Sequence, residues 1–216
     1  MRISEIWEHR SGMRILRDVK EFDELKDCIE SLKTPVMKNA WRSPFDVSQT
    51  LLNSMLDYRM EKSNWSVQPK IDTENKTKSK MKGDFSKVSD DGLRIFVEVE
   101  FGNVASMFRD LYKFNLAYSL NSYDCGVFIL PGNNLSKRID TVQDIEKAKQ
   151  LIIDGRDFIN IPLVLIGLET DNEVNLRDLV DENMSKDEVT KYWKTQSTIK
   201  MRERVIQHRD DLFIQI

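Results

Sequence analysis

The sequence predicts an α/β layered domain built on a mixed sheet. Three observations carry that prediction. Two alternating runs, DFSKV (84–88) and RIFVEVEF (94–101), flank a turn at Asp90-Asp91-Gly92 and read as a hairpin. Two short, almost wholly apolar runs, CGVFIL (125–130) and PLVLIGL (162–168), fit strands covered on both faces. Stretches with helical apolar spacing lie before and between them.

Taken in order, a short start leads to EFDELKDCIESLK, where Phe22, Leu25, Ile29 and Leu32 predict a helix over 21–33. A second helix is expected from about Asp46 to Met60, opened by Ser43-Pro44. A polar, lysine-rich stretch follows from Gln68 to Lys82, and then the hairpin. Helix resumes from Asn103 to about Leu120, strand from 125 to a stop at Pro131-Gly132, helix over about 142–153, and strand again at 162–168. That order is the order of an α/β layered domain. The last 45 or so residues are highly charged, with candidate strand at 173–180 and candidate helix at 185–195.

A chain of 216 residues, 40% hydrophobic and 32% charged, supports one domain with a substantial core. Residues 1–170 are expected to form that core with its N-terminal helices, and 171–216 an extension. No apolar run reaches the roughly 18–20 residues that span a bilayer, and MRISEIWEHR lacks a signal-peptide layout, so an intracellular, cytoplasmic protein with no membrane partner is expected. The two cysteines and two histidines are too few for thiolate or imidazole metal sites or for Cys–His nucleophilic pairs. No glycine belongs to GxxxxGK, GxGxxG or GxSxG, so no nucleotide cofactor is expected. Catalysis must then run on carboxylates, amides and lysines, with a hard metal ion. The formal charge of −3 leaves room for a local basic patch.

RIFVEVEF is the most informative segment. Strand side chains alternate, so Ile95, Val97, Val99 and Phe101 face one way while Glu98 and Glu100 face the other. Two glutamates on one face of a central strand are costly unless solvated, paired or bound to a cation. Asp84, on the preceding strand, is within reach of the same place. Three converging carboxylates suit Mg²⁺, which takes one or two carboxylates plus a phosphate. Gly102-Asn103 then turns into a helix whose free amides point towards the carboxylate edge, and Asn is a good N-cap.

DFSKV…FVEVEFGN…VFILP…PLVLIGL resembles the type II restriction endonucleases of the BamHI/BglII/BstYI group, nearest its BstYI/BglII branch, within the PD-(D/E)xK nuclease superfamily. MRISEIWEHRSGM resembles the start of that group too. The likeness is strongest over 80–170, recognisable over 1–68, and ends at Leu168. It implies a prokaryotic enzyme with a restriction-endonuclease-like three-layer core, a central mixed β-sheet flanked by helices. By resemblance Asp84 and Glu98 hold Mg²⁺ with the backbone carbonyl of Val99. Glu100, where most of the superfamily has lysine, positions or deprotonates the attacking water. Gln68, three residues after Trp65, occupies a further polar active-site place where relatives have Glu or Asn. Gly83 replaces the proline usual before the first aspartate.

Lys76, Lys78, Lys80 and Lys82 alternate through KTKSKMK and, if extended, face one way just before Asp84. Six lysines against three acids make 70–87 the most basic stretch near the site, and Lys80 and Lys82 are its candidate phosphate contacts. Asn103 matches a family position at or beside the bases. The loop NNLSKRID (133–140) falls where relatives read the major groove, which makes Lys137, Arg138 and Asp140 candidate base readers. The 104–120 helix has 11 apolar residues among 17 and a narrow polar stripe at Ser106, Arg109, Asp110 and Lys113. That excess suggests burial against both the sheet and a second subunit. The resemblance implies a two-fold homodimer on double-stranded, palindromic DNA, using this helix and the one at 142–153.

The function expected is Mg²⁺-dependent hydrolysis of both strands of a short site, with 5′-phosphate ends and a GATC core. Two other readings stay open: a repair or structure-specific nuclease of the same fold, and a catalytically silent DNA-binding module. The carboxylates count against the silent module, because negative charge facing phosphate weakens binding unless a metal is present.

Overall fold

A computed structural model describes residues 1–38, 45–139, 143–195 and 197–214. In chain order the elements are β1 (Arg2–His9), α1 (Gly12–Leu16), α2 (Lys20–Glu30), β2 (Thr34–Val36), α3 (Gln49–Lys62), β3 (Ser66–Val67), β4 (Phe85–Val88) and β5 (Arg94–Val99). There follow α4 (Val104–Ser119), β6 (Cys125–Pro131), α5 (Asn133–Arg138), α6 (Ile145–Asp154), β7 (Leu163–Glu169) and β8 (Glu173–Asn175). After a 3₁₀ turn at Leu176–Leu179 come α7 (Lys186–Trp193), α8 (Thr198–Gln207) and α9 (Arg209–Leu212). No helix of the described residues is long and apolar enough to cross a membrane.

The main sheet has six strands in the order β1-β7-β6-β5-β4-β3. β5, β6 and β7 run parallel, while β4 on one side and β1 on the other are antiparallel, so the sheet is mixed. Period-two alternation divides the core between the two faces. Ile95, Val97, Cys125, Val127, Ile129, Val164 and Ile166 pack with α2, α3 and the C-terminal helices. Phe96, Phe128, Leu130, Leu163 and Leu165 pack with α4 and α6. β6 and β7 are buried along their whole length, as their unbroken apolar runs required.

Several elements differ from expectation. The short start is strand β1, which pairs with β7 through an irregularity between Ile3 and Glu5. Exposure still alternates along the strand, but its apolar residues Ile3, Ile6 and Trp7 do not, because Ile6 falls on the exposed side of this edge strand. The second helix begins at Gln49, capped by the Ser48 side chain, while the Ser43-Pro44 signal lies outside the described residues. Asp144 caps α6, so that helix starts after 142, itself outside the described residues. Within the loop expected at 133–140, Asn133–Arg138 is helix α5, whose first amides, Asn134 and Leu135, donate to the Glu169 carboxylate at 3.0 and 3.0 Å. Of the strand at 173–180 only Glu173–Asn175 forms, paired with β2. α7 is present, and α8 and α9 add Met201, Val205 and Leu212 to the larger core beside Trp193.

Candidate active site

The site forms where β5 ends and α4 begins. The register Phe85↔Val97 brings Asp84, the residue before β4, opposite Glu98. Asp84 Oδ2 accepts a hydrogen bond from the Val99 amide at 2.7 Å, which fixes the carboxylate against the neighbouring strand. Its carbonyl accepts from the Gln68 amide at 2.9 Å. Gln68 is held at φ 52°, a left-handed conformation that costs a residue with a Cβ roughly 1–2 kcal/mol. Gln68, Asp84 and Val99 line a cavity of about 140 Å³ whose other wall is helix α3, through Asn53 and Asp57.

Glu98 is wholly buried, on the face that Phe96 shares with α4. Lys113 Nζ donates to Glu98 Oε2 at 2.9 Å and lies 2.8 Å from Asp110 Oδ1. Glu98 Oε1 is buried with no hydrogen-bond partner. Glu100 is also buried, but its Oε1 turns back to accept from the Gly102 amide, and its Oε2 lies 3.7 Å from the Arg109 guanidinium. The three carboxylates expected to converge therefore do not share one cage. Among the described residues no three or more His, Cys, Asp or Glu side chains form a group able to hold a metal ion.

Two glycines make room for these acids. A Cβ at Gly83 would overlap the Phe96 ring and stand 3.2 Å from Glu98 Oε1, which is why this chain has no larger residue before Asp84. A Cβ at Gly102 would lie 2.6 Å from Glu100 Oε1. Asn103 is exposed and caps α4, accepting from the Ser106 amide at 3.1 Å.

The electrostatics follow from crowding. Burial, with the charges of Asp84 and Asp110, pushes Glu98 up to about 9 against the pull of Lys113. Burial and a hydrogen bond with Asp110 raise Glu100 to about 7. Burial and the Asp84 charge raise Asp57 to about 6. Burial lifts Asp84 above the usual carboxylate range, although the Val99 amide opposes it. A cation would relieve this excess of buried negative charge. The donors available to one are hard oxygens, from Asp84, the orphan Oε1 of Glu98 and the backbone of Val99, which fits a hard divalent ion.

Asp110, Lys113 and Asp57 were not among the expected site residues. The signal for the first two was the polar stripe on the 104–120 helix. Its orientation is the reverse of a surface stripe: Asp110 and Lys113 point inward to the sheet's acids, while Val104, Phe108 and Tyr112 are exposed. No comparable pattern marks Asp57, which faces the site only because α3 packs there.

Lys80 and Lys82 are exposed, but the segment before Asp84 is not a straight extended run. It folds back on the Asp72 carboxylate, which accepts from the Lys76 and Thr77 amides at 2.9 and 2.5 Å, and Lys76 Nζ reaches the Leu120 carbonyl at 2.7 Å. Lys137 is exposed. Arg138 does not stand free: its guanidinium forks onto Asp46 at 2.7 and 2.7 Å and meets Glu173 at 2.5 Å. Asp140 lies outside the described residues.

Comparison with known proteins supplies the family. The restriction endonuclease BglII solved in complex with a DNA 16-mer superposes with a TM-score of 0.65 at 16% identity, covering 79% of this chain and 78% of that one. Free BglII superposes with a TM-score of 0.56 at 15% identity, covering 79% and 81%. At such identities the likeness is one of fold, and it identifies the helix-flanked mixed sheet as the restriction-endonuclease-like core. A comparison with curated proteins finds no match. A family model described as restriction endonuclease BglII/BglIII matches residues 4–168, a span that includes all but the outermost residues of the main sheet, α3 with Asp57, and the whole carboxylate cluster. The chain therefore belongs to the BglII/BglIII family of restriction endonucleases.

Proposed function

We propose that the protein is a Mg²⁺-dependent type II deoxyribonuclease that hydrolyses both strands of a short palindromic site and leaves 5′-phosphate ends. The observation that carries this reading is Asp84 fixed on the Val99 amide opposite a buried Glu98 with one unpartnered oxygen, in a chain of this family. Asp84, Glu98 and the Val99 carbonyl would hold the ion, which when bound supplies charge stabilisation at the phosphodiester. Glu100 takes up a proton from the attacking water at its carboxylate, and the Gly102 amide and Arg109 set that carboxylate's direction. Gln68 orients groups within the cavity it lines.

BglII in its DNA complex supports duplex DNA as the substrate here. Lys80 and Lys82 contact phosphates on approach to Asp84 and make affinity fall with salt. Asn103 and Lys137, both exposed, reach towards bases. Arg138 joins them only by opening its pairs with Asp46 and Glu173, and Asp140 follows from the resemblance alone, as does the GATC core. A two-fold dimer on α4 and α6 matches a palindrome, with one active site per strand. Phe108 and Tyr112, 53% and 58% exposed on α4, are the apolar groups it would cover.

The test is digestion of unmethylated phage-length DNA by purified protein with and without Mg²⁺. Discrete Mg²⁺-dependent fragments are expected, and mapping their ends gives the site and the stagger. A smear would favour the repair or structure-specific nuclease, and intact DNA on several substrates the silent module. Asp84→Ala and Glu98→Ala should each abolish cutting. Substantial turnover by Asp84→Ala would overturn the assignment.

A further inference from the structure

We infer that Lys113 is a positioning residue for Glu98: its ammonium holds Oε2 so that Oε1 alone is presented to a divalent cation. The inference rests on the reading of Asp84 and Glu98 as the metal carboxylates. Its geometric basis is an asymmetry within one side chain. Both oxygens of Glu98 lie in a residue with no exposed surface, yet Oε2 accepts from Lys113 at 2.9 Å while Oε1 takes no hydrogen bond from a protein donor, and the Glu98 carboxyl meets that of Asp84. A buried carboxylate oxygen without a donor is costly, so it persists where a ligand supplies what the protein withholds.

Lys113 is itself held rigidly. Its side chain is 10% exposed, and Asp110, one helical turn earlier, accepts its second contact at 2.8 Å. The ammonium thus sits between an acid on α4 and an acid on β5, and the carboxylate of Glu98 cannot rotate about its last bond without losing it. Groups that bond to metal-ligating carboxylates fix ligand orientation, and their loss typically costs about 10–100-fold in metal affinity or activity. A lysine in a purely structural ion pair would change the stability of the fold, and its removal would leave the folded protein's affinity for the metal unchanged or raise it, since one positive charge beside the cation is gone.

The test is Ca²⁺ binding by the full chain, followed by calorimetry without DNA, in the parent, Lys113→Met and Lys113→Arg, with metal-free melting recorded for each. Lys113→Met should bind Ca²⁺ about tenfold or more weakly, and Lys113→Arg, which restores a cationic donor, should recover most of that loss. Unchanged or tighter binding by folded Lys113→Met would overturn the inference. A crystal structure of the parent with Ca²⁺ decides the matter even if that variant fails to fold. Ca²⁺ beside Oε1 with Lys113 still on Oε2 supports it, and Lys113 displaced from Glu98 overturns it. Absence of Ca²⁺ binding by the parent would instead overturn the metal reading of Asp84 and Glu98, and this inference with it.

Discussion

The Val99 amide donates to Asp84 Oδ2 across 2.7 Å, so the strand that carries Glu98 also holds the carboxylate opposite it. A backbone donor leaves Asp84 one oxygen for other work, and it depends on no other side chain. Asp84→Asn retains an oxygen for this bond while removing the charge. We expect that variant to melt within about 1 kcal/mol of the parent and to lose cleavage, which separates folding from chemistry when both are measured on one preparation.

Glu98 predicts how stability varies with pH. Its folded-state value of about 9 lies above the ordinary 4.5, so the folded protein binds its proton more tightly than the unfolded chain. The stabilisation is full below the ordinary value and is lost as pH rises through about 9. In EDTA the parent should therefore lose stability between about pH 5.5 and about pH 8.5, and Glu98→Gln should lose clearly less. Equal slopes in thermal melts of the two proteins would refute the linkage. Because a bound cation requires the ionised carboxylate, Ca²⁺ affinity should rise over the same window.

The two glycines predict different failures. Gly83→Ala meets the wholly buried Phe96 ring, which has nowhere to move, so it should destabilise by about 1–3 kcal/mol in urea. Gly102→Ala meets the end of the Glu100 side chain instead. It should fold and melt like the parent but cut roughly 10²-fold more slowly, since a displacement of that size misplaces a catalytic group.

Arg138→Met tests whether that arginine braces the fold. With Asp46 stripped of its guanidinium partner and Glu173 left only with Lys38 at 3.4 Å, stability should fall by about 1–3 kcal/mol. A variant that melts like the parent but has altered site preference would mark Arg138 as a base reader alone.

Phe108→Glu and Tyr112→Glu test the dimer. If α4 packs on a second copy, sedimentation should show the parent as a dimer and either variant shifted to monomer, with thermal stability of the folded subunit little changed. A monomeric parent would remove the two-fold reading.

What the sequence determined by itself was whatever depends on local periodicity and short-range geometry. The hairpin, the buried parallel strands and the partition of Glu98 and Glu100 from Ile95 and Val97 follow from the two-residue repeat, which a single strand already possesses. Asn103 as a helix cap is equally local. Only the tertiary structure decided what required elements distant in the chain. It turned the Asp110 and Lys113 side of α4 towards the sheet's acids, because a buried carboxylate demands a buried counter-charge wherever one can be found. It brought Asp57 to the cavity wall and drew Arg138 out of a presumed loop and onto Asp46 and Glu173. It also tied Glu100 to the Gly102 amide, which lies two residues off and offers a donor that Asp84 cannot. Spacing specifies which face of a strand or helix a residue occupies, but the partner that meets that face is chosen by packing.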